Sequence, residues 1–411
     1  MRTPHSTDLF RRMNLRMLIL GAGQQGSACA YDLLQNPDVT RVRLADVRQG
    51  PLPAFLQPYA DDPRLERTVV DARDHASLRV AMQDVHACLN ALPYYFNLDV
   101  AGLAIGAGIH CCDLGGNTAI VFEQIALDAM ARERGVSIIP DCGLAPGMVT
   151  ILAEAGLRAL DTADSVRMLV GGLPQHPAPP LNYQVVYSLE GVLDYYTTPT
   201  WVLRDGRRIQ VDALSEIERV AFAEPVGTLE AFHTAGGLST LPWTHEGRVR
   251  RMEYKTLRYP GHGETMRAIR ELGLMATTPV DVKGQSIVPR DVFIACAEPR
   301  LRRPGGRDLV ALRVEVEGKR DGVASRVVYE LIDLYDEERG ISAMERCTGY
   351  SLSITGQLQV GRMVSGTGVR TPDQAVPAEP YIRALAERGV EIRHRQDRGA
   401  GNTGAGTRVH H

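Results

Sequence analysis

The chain has 411 residues, of which 44% are hydrophobic and 23% charged, and its formal net charge at pH 7 is −3. This length suits two domains whose cores need no disulfide or metal. A charge so close to neutral gives no field that would recruit nucleic acid or an anionic membrane, so we predict neither as a partner. Seven cysteines without zinc spacing, and no apolar run of transmembrane length, predict a cytoplasmic protein without a metal site.

The first part of the chain alternates short apolar strands with helical stretches. Residues 1–15 are polar and aperiodic, which predicts a flexible tail. Strands are predicted at 17–20, 42–46, 67–71, 86–92, 110–114 and 136–142. Helices are predicted up to residue 34 and over 76–82, 97–107 and 122–133. This alternation predicts an α/β fold over residues 16–147, a Rossmann-type doubly wound parallel sheet that binds ligands at the carboxyl ends of its strands.

The pattern changes after Gly147, and residues 148–340 are predicted to form an α+β substrate-binding domain. A helix is predicted over 148–160, and strands over 165–174, 252–259, 308–318 and 324–335. Turns at 204–207 and 319–322 indicate antiparallel hairpins.

The last part of the chain is divided into two segments. Residues 341–392 open on a helical stretch up to residue 360, and we predict that this segment returns to pack on the first domain. Residues 393–411 are polar and end in a Gly-rich run, which predicts a disordered tail.

The stretch GAGQQG, residues 21–26, has the G-x-G-x-x-G spacing of a dinucleotide-binding loop. Gly21 permits a tight turn, Gly23 lets the backbone approach a pyrophosphate, and Gly26 lets the helix pack on the sheet. Asp46 ends the next strand, where a carboxylate would accept bonds from the ribose hydroxyls and repel a 2′-phosphate. The loop therefore predicts NAD, and Arg48 keeps NADP as an alternative. The competing interpretation is a Gly-rich turn without a ligand.

Polar and turn-forming residues follow the later strands, at the edge where the nicotinamide ring would lie. They occupy residues 90–94, 113–116 and 141–147, and each stretch taken alone could be an ordinary turn. Together they indicate the rim of a ligand site. The residues predicted to bind the cofactor are Gly21, Gly23, Gln24, Gln25, Gly26, Asp46, Asp71, Asn90, Leu92, Asp113, Leu114 and Cys142.

Longer motifs carry a family resemblance. The runs NALPYYFN, CCDLGGN and PDCGLAPGM, with GGLP, PPLNYQVVYSLEGVLDYY, FHTAGGLSTLP and YKTLRYPGH, resemble the saccharopine dehydrogenase-like family over residues 16–392. Within that family the segments are most similar to the L-lysine 6-dehydrogenases. The resemblance implies NAD-dependent oxidation of the ε-amine of L-lysine to 2-aminoadipate 6-semialdehyde and ammonia. It also implies a homodimer or higher homo-oligomer, with the second domain serving in dimerisation.

The resemblance and the chemistry of amine oxidation together assign roles to individual residues. Arg258 is the predicted carboxylate anchor, because a guanidinium binds a carboxylate through two parallel hydrogen bonds. The alternative is a surface arginine on a strand. The predicted catalytic residues are Asp141, His262 and Tyr94, and the further substrate-binding residues are Tyr183, Asn182, Thr234 and Ser239. For His262 the alternative is an exposed turn histidine. For Tyr94 and Tyr183 it is buried aromatic packing, and for Cys142 it is packing without a role at the cofactor.

Two other functions compete with this prediction. A saccharopine reductase or a carboxynorspermidine synthase would join an amine to an aldehyde reductively with NADPH. A protein that binds the nucleotide without catalysis is the second alternative, and the polar rim and complete second domain argue against it.

Overall fold

The computed structural model describes residues 14–185, 188–303 and 305–399. The first half contains six strands and six helices in alternation. The strands are β1 (Leu15–Leu20), β2 (Val39–Asp46), β3 (Leu65–Val69), β4 (Ala87–Asn90), β5 (His110–Asp113) and β6 (Ser137–Ile139). The helices are α1 (Gln24–Gln35), α2 (His75–Ala81), α3 (Asn97–Ala107), α4 (Thr118–Ile125), α5 (Asp128–Glu133) and α6 (Met148–Arg158), with 3-10 turns at Ala54–Tyr59 and Tyr94–Phe96.

The second half is richer in strands. The strands are β7 (Thr162–Pro174), β8 (Thr200–Arg204), β9 (Arg207–Val211), β10 (Glu218–Ala221), β11 (Thr228–His233), β12 (Arg251–Arg258), β13 (Val280–Val282), β14 (Gln285–Ile287), β15 (Asp308–Arg320), β16 (Val323–Leu334), β17 (Gly368–Val369) and β18 (Arg393–Arg398). The helices are α7 (Leu189–Thr197), α8 (Leu241–Thr244), α9 (His262–Glu271), α10 (Pro289–Leu301), α11 (Ala343–Val360), α12 (Pro372–Ala375) and α13 (Ala378–Glu387).

The strands build two large sheets. The first is parallel, with the order β17-β6-β5-β4-β1-β2-β3, and it confirms the predicted Rossmann-type fold. The second is mixed and follows the order β10-β11-β12-β7-β15-β16-β18, with β8 and β9 attached to β12. In it only β12 and β7 run parallel, among the pairs of described strands. The predicted α+β domain is therefore present as a strongly antiparallel sheet with helices.

Helix α11 returns the chain to the first domain, as the sequence predicts. Its residues from Ala343 to Gln359 are all buried, so the helix has no exposed face. Polar side chains of the helix bond to the first domain: Ser353 donates to Asp32 of α1 at 2.6 Å, and Gln359 donates to the Ser137 carbonyl of β6 at 2.9 Å. A Ser342–Glu345 capping box starts the helix, a motif worth about 1 kcal/mol.

Two predictions about the chain need correction. The helix predicted over 122–133 is two helices: Asn117 caps α4, which ends at Ile125, and α5 begins at Asp128, whose carboxylate accepts from the Val369 amide of β17 at 2.9 Å. The predicted disorder from residue 393 is wrong for Arg393–Arg398, which pairs with β16 as an edge strand. Its side chains are polar and mostly exposed, so no apolar alternation marks it; it forms by backbone pairing with β16 and by stacking of His394 on Tyr329.

The boundary of the predicted N-terminal tail also needs correction. Leu15 already belongs to β1, whereas residues 1–13 and 400–411 lie outside the described residues. In the part of the chain that the structure describes, no helix has the length and apolar character needed to cross a membrane.

Candidate active site

The glycine loop joins β1 to α1 in a conformation that requires glycine. Gly21 has φ +95°, and a Cβ on it would lie 3.0 Å from the Ala91 carbonyl oxygen. A Cβ on Gly26 would lie 1.8 Å from the Gly21 carbonyl oxygen, so the helix can start here only without a side chain. Nothing lies within 4 Å of a Cβ placed on Gly23, which leaves the start of α1 open. This cradle fits the pyrophosphate of a dinucleotide, which the free amides of the helix N-terminus would hold.

Asp46 lies beside this loop. Its Oδ2 accepts from the Ala22 amide at 2.8 Å and its Oδ1 accepts from the Arg48 amide at 3.2 Å. The carboxylate thus occupies the place from which it would reach the adenosine ribose. Asp71 follows the neighbouring strand β3, is exposed and accepts from the Arg73 amide at 2.9 Å. It lies on the adenosine side of the sheet, away from the cavities described below.

Gln24 and Gln25 point to different places. Gln24 lines a separate cleft that it shares with Arg302 and Arg303. Gln25 lines the cavity between the two domains, and its Oε1 has no hydrogen-bond partner among the described residues. Of the pair, only Gln25 is in position to meet a ligand in that cavity.

The cavity between the domains has a volume of about 220 Å³, and we call it the first cavity. Its first-domain wall consists of the ends of β5 and β6, and its second-domain wall of β7, α7, the loop after β11, and β12. The residues of the first wall are Gln25, Leu114, Gly115, Gly143, Leu144, Ala145 and Pro146. The second wall and α11 contribute Val170, Gly172, Tyr195, Thr234, Ala235, Tyr254, Thr256, Arg258, Met344 and Thr348.

Strand β12 supplies the most polar part of the substrate wall. Tyr254, Thr256 and Arg258 alternate along it, so their side chains share the face toward the first cavity. Thr256 pairs with Thr234 of the loop after β11 through their hydroxyls at 2.7 Å. Sequence reasoning identified Arg258 and Thr234 and missed Tyr254 and Thr256, although their two-residue spacing from Arg258 was visible.

A hydrogen-bonded chain holds Arg258 from behind. Its Nε donates to the Tyr196 hydroxyl at 3.1 Å, and that hydroxyl lies 3.0 Å from Nε2 of His262. The Leu181 carbonyl can only accept, so Nδ1 of His262 carries the ring hydrogen and donates to it at 3.1 Å, and Nε2 of the neutral ring accepts from the Tyr196 hydroxyl. Both ring nitrogens of His262 are therefore occupied.

His262 does not line either cavity between the domains. Burial, with the Arg258 charge next in size, lowers its pKa to about 3. The structure thus differs from the prediction of a proton-transferring histidine and from its exposed alternative, because α9 begins at His262 and carries the ring into an aromatic cluster with Phe232 and Tyr196. The pattern RYPGH could not reveal this burial.

Tyr183 and Asn182 lie outside the cavity walls as well. The guanidinium of Arg258 lies 4.9 Å from the ring centre of Tyr183, which supports the arginine through its face. The Tyr183 hydroxyl is buried without a hydrogen-bond partner among the described residues. Asn182 has φ +48° and closes a turn by donating its amide to the Ala178 carbonyl at 3.1 Å. Both residues therefore support the wall instead of forming its surface.

Asp113, Asn90 and Leu92 form the layer beneath the rim. Asp113 is buried and accepts from Asn97, from Gln124 and from the amides of Gly115 and Asp141, at 2.7 to 3.2 Å. Burial raises its pKa to about 6. Asn90 donates to Asn97 at 2.9 Å and accepts from the Leu92 amide at 3.2 Å. These bonds fix the loops that carry Gly115 and Asp141.

Asp141 is fully buried where the two walls meet. Its Oδ2 accepts a short hydrogen bond from Ser239, and its Oδ1 has no hydrogen-bond partner among the described residues. Oδ1 lies 1.8 Å from where a Cβ of Gly115 would be, so only glycine fits there. Burial raises the pKa of Asp141 to about 7, and the nearby Asp113 charge adds to this. A carboxyl group with such a pKa can take up and release a proton near neutral pH.

Cys142, the next residue, is buried, and its thiol lies 3.1 Å from the Ile139 carbonyl oxygen. Burial raises its pKa, so it is a packed thiol and not a nucleophile.

A larger space of about 400 Å³ adjoins the first cavity, and we call it the second cavity. Tyr195 and Ala235 line both. Tyr94 and Ser239 line the second cavity, and burial raises the pKa of Tyr94. Sequence reasoning missed Tyr195, the residue between the two spaces, although its LDYY run belongs to a motif that carries the family resemblance.

Family comparisons agree with this architecture. Residues 17–139 match the saccharopine dehydrogenase NADP binding domain, and residues 143–390 match the saccharopine dehydrogenase C-terminal domain. The chain is 21% identical to saccharopine dehydrogenase [NADP(+), L-glutamate-forming] of Schizosaccharomyces pombe, covering 80% of this chain and 88% of that protein. It is 23% identical to mouse mitochondrial alpha-aminoadipic semialdehyde synthase, over 63% of this chain and 28% of that longer protein.

Solved structures show the same fold. Saccharopine dehydrogenase (L-Glu forming) from Saccharomyces cerevisiae superimposes with a TM-score of 0.76 at 18% identity, covering 93% of this chain and all of that one. A homospermidine synthase from Legionella pneumophila in complex with NAD gives 0.66 at 11% identity, covering 93% of this chain and 91% of that one. The matches over both halves of the chain, with the glycine cradle and its acidic neighbour, lead to one conclusion. The chain belongs to the saccharopine dehydrogenase family and is an NAD(P)-dependent oxidoreductase.

Proposed function

We propose that the protein oxidises the ε-amine of L-lysine with NAD, giving 2-aminoadipate 6-semialdehyde and ammonia. The observation that carries this proposal is the first cavity, where the cofactor-side loops after β5 and β6 face Arg258 across a small space. A carboxylate bound at Arg258 would leave the other end of an amino acid near those loops. The resemblance of the motifs to L-lysine 6-dehydrogenases supports lysine as that amino acid.

Different side chains bind the substrate and accept its proton. Arg258 binds the substrate carboxylate, and Thr234, Thr256 and Tyr254 line the wall along which the aliphatic chain lies. The substrate ammonium must lose a proton before it is oxidised. Asp141 accepts it through the Ser239 hydroxyl, which lies between the carboxylate and the second cavity.

The reaction balances in two steps. A nicotinamide held at the glycine loop and Asp46 would accept the hydride that leaves C6, and with loss of a proton from nitrogen the C6–N single bond would become an imine. Water then adds to the imine and ammonia leaves, giving the semialdehyde. Tyr94 and Tyr195 are the hydroxyls placed near the rim, where they can orient this water.

Asp46 favours NAD in this proposal. Its carboxylate lies at the glycine loop, where it would accept from the ribose 2′-hydroxyl and repel a 2′-phosphate. The matched domain and the fission-yeast relative are both named for NADP, so the preference needs a direct test. Asp46→Ala should lower the ratio of kcat/KM for NAD to that for NADP by about tenfold. An unchanged ratio would remove this role from Asp46.

Reductive condensation of an amine with an aldehyde, using NADPH, is the second candidate, and the NADP(+) in the name of the fission-yeast relative supports its cofactor. A substrate panel distinguishes the two. Purified protein is assayed with NAD and NADP against lysine, ornithine, saccharopine and diamines, and with NADPH against amine and aldehyde pairs. Reduction of NAD by lysine with release of ammonia supports the proposal, and NADPH oxidation that requires both an amine and an aldehyde rejects it. The homo-oligomer stays a prediction, which light scattering of the protein measures.

A further inference from the structure

The second cavity is larger than the first and lies on the far side of Tyr195. It opens from the place where the reacting nitrogen would lie, so it offers room for a group attached to that nitrogen. At about 400 Å³ it exceeds the first cavity, of about 220 Å³, in which the proposed function places the lysine part of the substrate. Lysine alone leaves this space unused.

The charged residues that line the two cavities have opposite signs. The first contains the guanidinium of Arg258. The second is lined by the carboxylate of Asp194, and no Arg, Lys or His within the described ranges lines it. Glu190 lies one helical turn before Asp194 on α7, and both carboxylates raise the pKa of Tyr94 in the same cavity after burial, which is the larger cause.

The cation beside Asp194 is the Arg290 guanidinium, which is hydrogen-bonded to protein groups. Arg290 donates to Oδ1 of Asp194 through a short contact, to the Thr197 hydroxyl at 3.1 Å and to the Met275 carbonyl at 2.9 Å. Each nitrogen of that guanidinium donates to a protein acceptor, and Arg290 does not line the second cavity. Its hydrogen bond to Asp194 goes to Oδ1. A dicarboxylate group in this cavity would meet a carboxylate without a free counter-charge.

Aromatic rings complete the cavity. Tyr94, Tyr195 and Trp201 line it beside Asp194. Trp201 packs edge to face on Trp243, whose own ring already has the Arg208 guanidinium 5.1 Å from its centre. Aromatic faces next to a carboxylate are the combination that proteins use to bind ammonium groups.

We propose that the second cavity binds an ammonium-bearing arm carried by the substrate nitrogen. The substrates then include secondary amines with a carboxylate at one end and a cation at the other, and the dicarboxylate arm of saccharopine is disfavoured. This inference rests on the proposed function in one respect, which is that the reacting nitrogen lies between the two cavities.

Binding of simple probes tests the proposal without turnover. The chain has two tryptophans, and both lie at this cavity or against it, so intrinsic fluorescence reports its occupancy. Butane-1,4-diamine should change the tryptophan fluorescence saturably, and glutarate, a dicarboxylate of similar length, should not. Calorimetry should show that Asp194→Asn and Trp201→Leu each weaken diamine binding about 3- to 10-fold. Asp205→Asn, an exposed carboxylate in the β8–β9 turn, should leave it unchanged.

The two variants protect the test from a folding artefact, because Asp194→Asn also removes the partner of Arg290, whereas Trp201 is partly exposed and forms no ion pair. Diamine binding that neither variant weakens overturns the proposal, as does a fluorescence change with glutarate alone. Loss of diamine binding at saturating NAD would assign the cavity to the cofactor and overturns it too.

Substrate turnover supplies the second arm of the test. Lysine carrying an aminopropyl group on its ε-nitrogen should have a kcat/KM at least about tenfold above that of saccharopine. The reverse order contradicts the inference. If neither compound nor lysine is oxidised while the diamine binds as expected, the proposed function fails and the cavity assignment stands.

Discussion

The two walls of the first cavity are built in different ways. The cofactor wall comes from loops at one edge of a parallel sheet, and each loop is fixed by backbone demands such as the glycines at 21, 26 and 115. The substrate wall comes from two neighbouring strands, β7 and β12, with side chains from a helix and a loop far apart in sequence. The first wall depends on the absence of side chains, and the second on which side chains are present and how they are held.

Their buried acids show the same contrast. Asp113 has a donor for each of its oxygens and serves to hold loops, whereas Asp141, in the next loop, keeps one oxygen without a partner among the described residues. Two carboxylates at the same edge of one sheet thus have different surroundings, because only the second one contacts the second domain, through Ser239 of the second cavity. The position of a carboxylate at the rim of the sheet therefore does not by itself identify it as a catalytic group.

Asp141→Asn should produce the largest effect, lowering kcat by about 10²- to 10⁴-fold. Burial raises the pKa of Asp141 to about 7, so a base at this position is lost by protonation as the pH falls through about 7. The kcat/KM of the parent enzyme should therefore fall on the acid side of about pH 7, and the variant should lack this limb. A limb that persists in the variant would give the base role to another group.

Arg258→Lys should raise KM for lysine about 10- to 100-fold and leave kcat within a few-fold. The lysine keeps a charge but loses the paired hydrogen bonds and the contact with Tyr196, and charged hydrogen bonds are worth about 1.5–3 kcal/mol. Arg313→Lys is the matched control, because Arg313 also stacks on a ring, Phe222 at 4.1 Å, yet lies outside both cavities. An equal KM effect in the control would show that loss of packing is the cause.

Gly26→Ala should disturb the cofactor wall. Its Cβ would lie 1.8 Å from the Gly21 carbonyl oxygen, and such overpacking costs about 1–3 kcal/mol of unfolding free energy. NAD should then weaken about tenfold or more, which the NAD-dependent shift in Tm measures. Gly102→Ala in α3, where nothing lies within 4 Å of the new Cβ, should keep NAD binding intact. Normal NAD affinity in Gly26→Ala would contradict the cradle.

The smallest effect concerns the support of Arg258. Tyr196→Phe removes its two hydrogen bonds and should raise KM about 3- to 10-fold, with kcat unchanged. His262→Gln keeps an acceptor for the Tyr196 hydroxyl, so the KM of this single variant should stay close to that of the parent enzyme. If His262→Gln instead lowers kcat and shifts the pH profile, His262 transfers a proton and does not position the arginine.

The sequence predicts the cofactor wall more fully than the substrate wall. The strand-helix alternation, GAGQQG and Asp46 are local signals, and the parallel sheet and its cofactor wall follow from them. Arg258, Thr234 and Ser239 were found through the family resemblance. Burial of His262 behind Arg258 and the placement of Tyr195 between two cavities depend on how α7 and α9 pack, which no local pattern encodes. The edge strand β18 was missed because backbone pairing, not hydrophobic alternation, forms it.

The origin of the hydride tests the central claim most directly. L-Lysine carrying deuterium at C6 is incubated with the purified protein and NAD, and the reduced cofactor and ammonia are measured. We predict deuterium in the reduced nicotinamide and one ammonia for each cofactor reduced. Deuterium that appears only from lysine labelled at Cα, or cofactor reduction without ammonia, would contradict oxidation of the ε-amine.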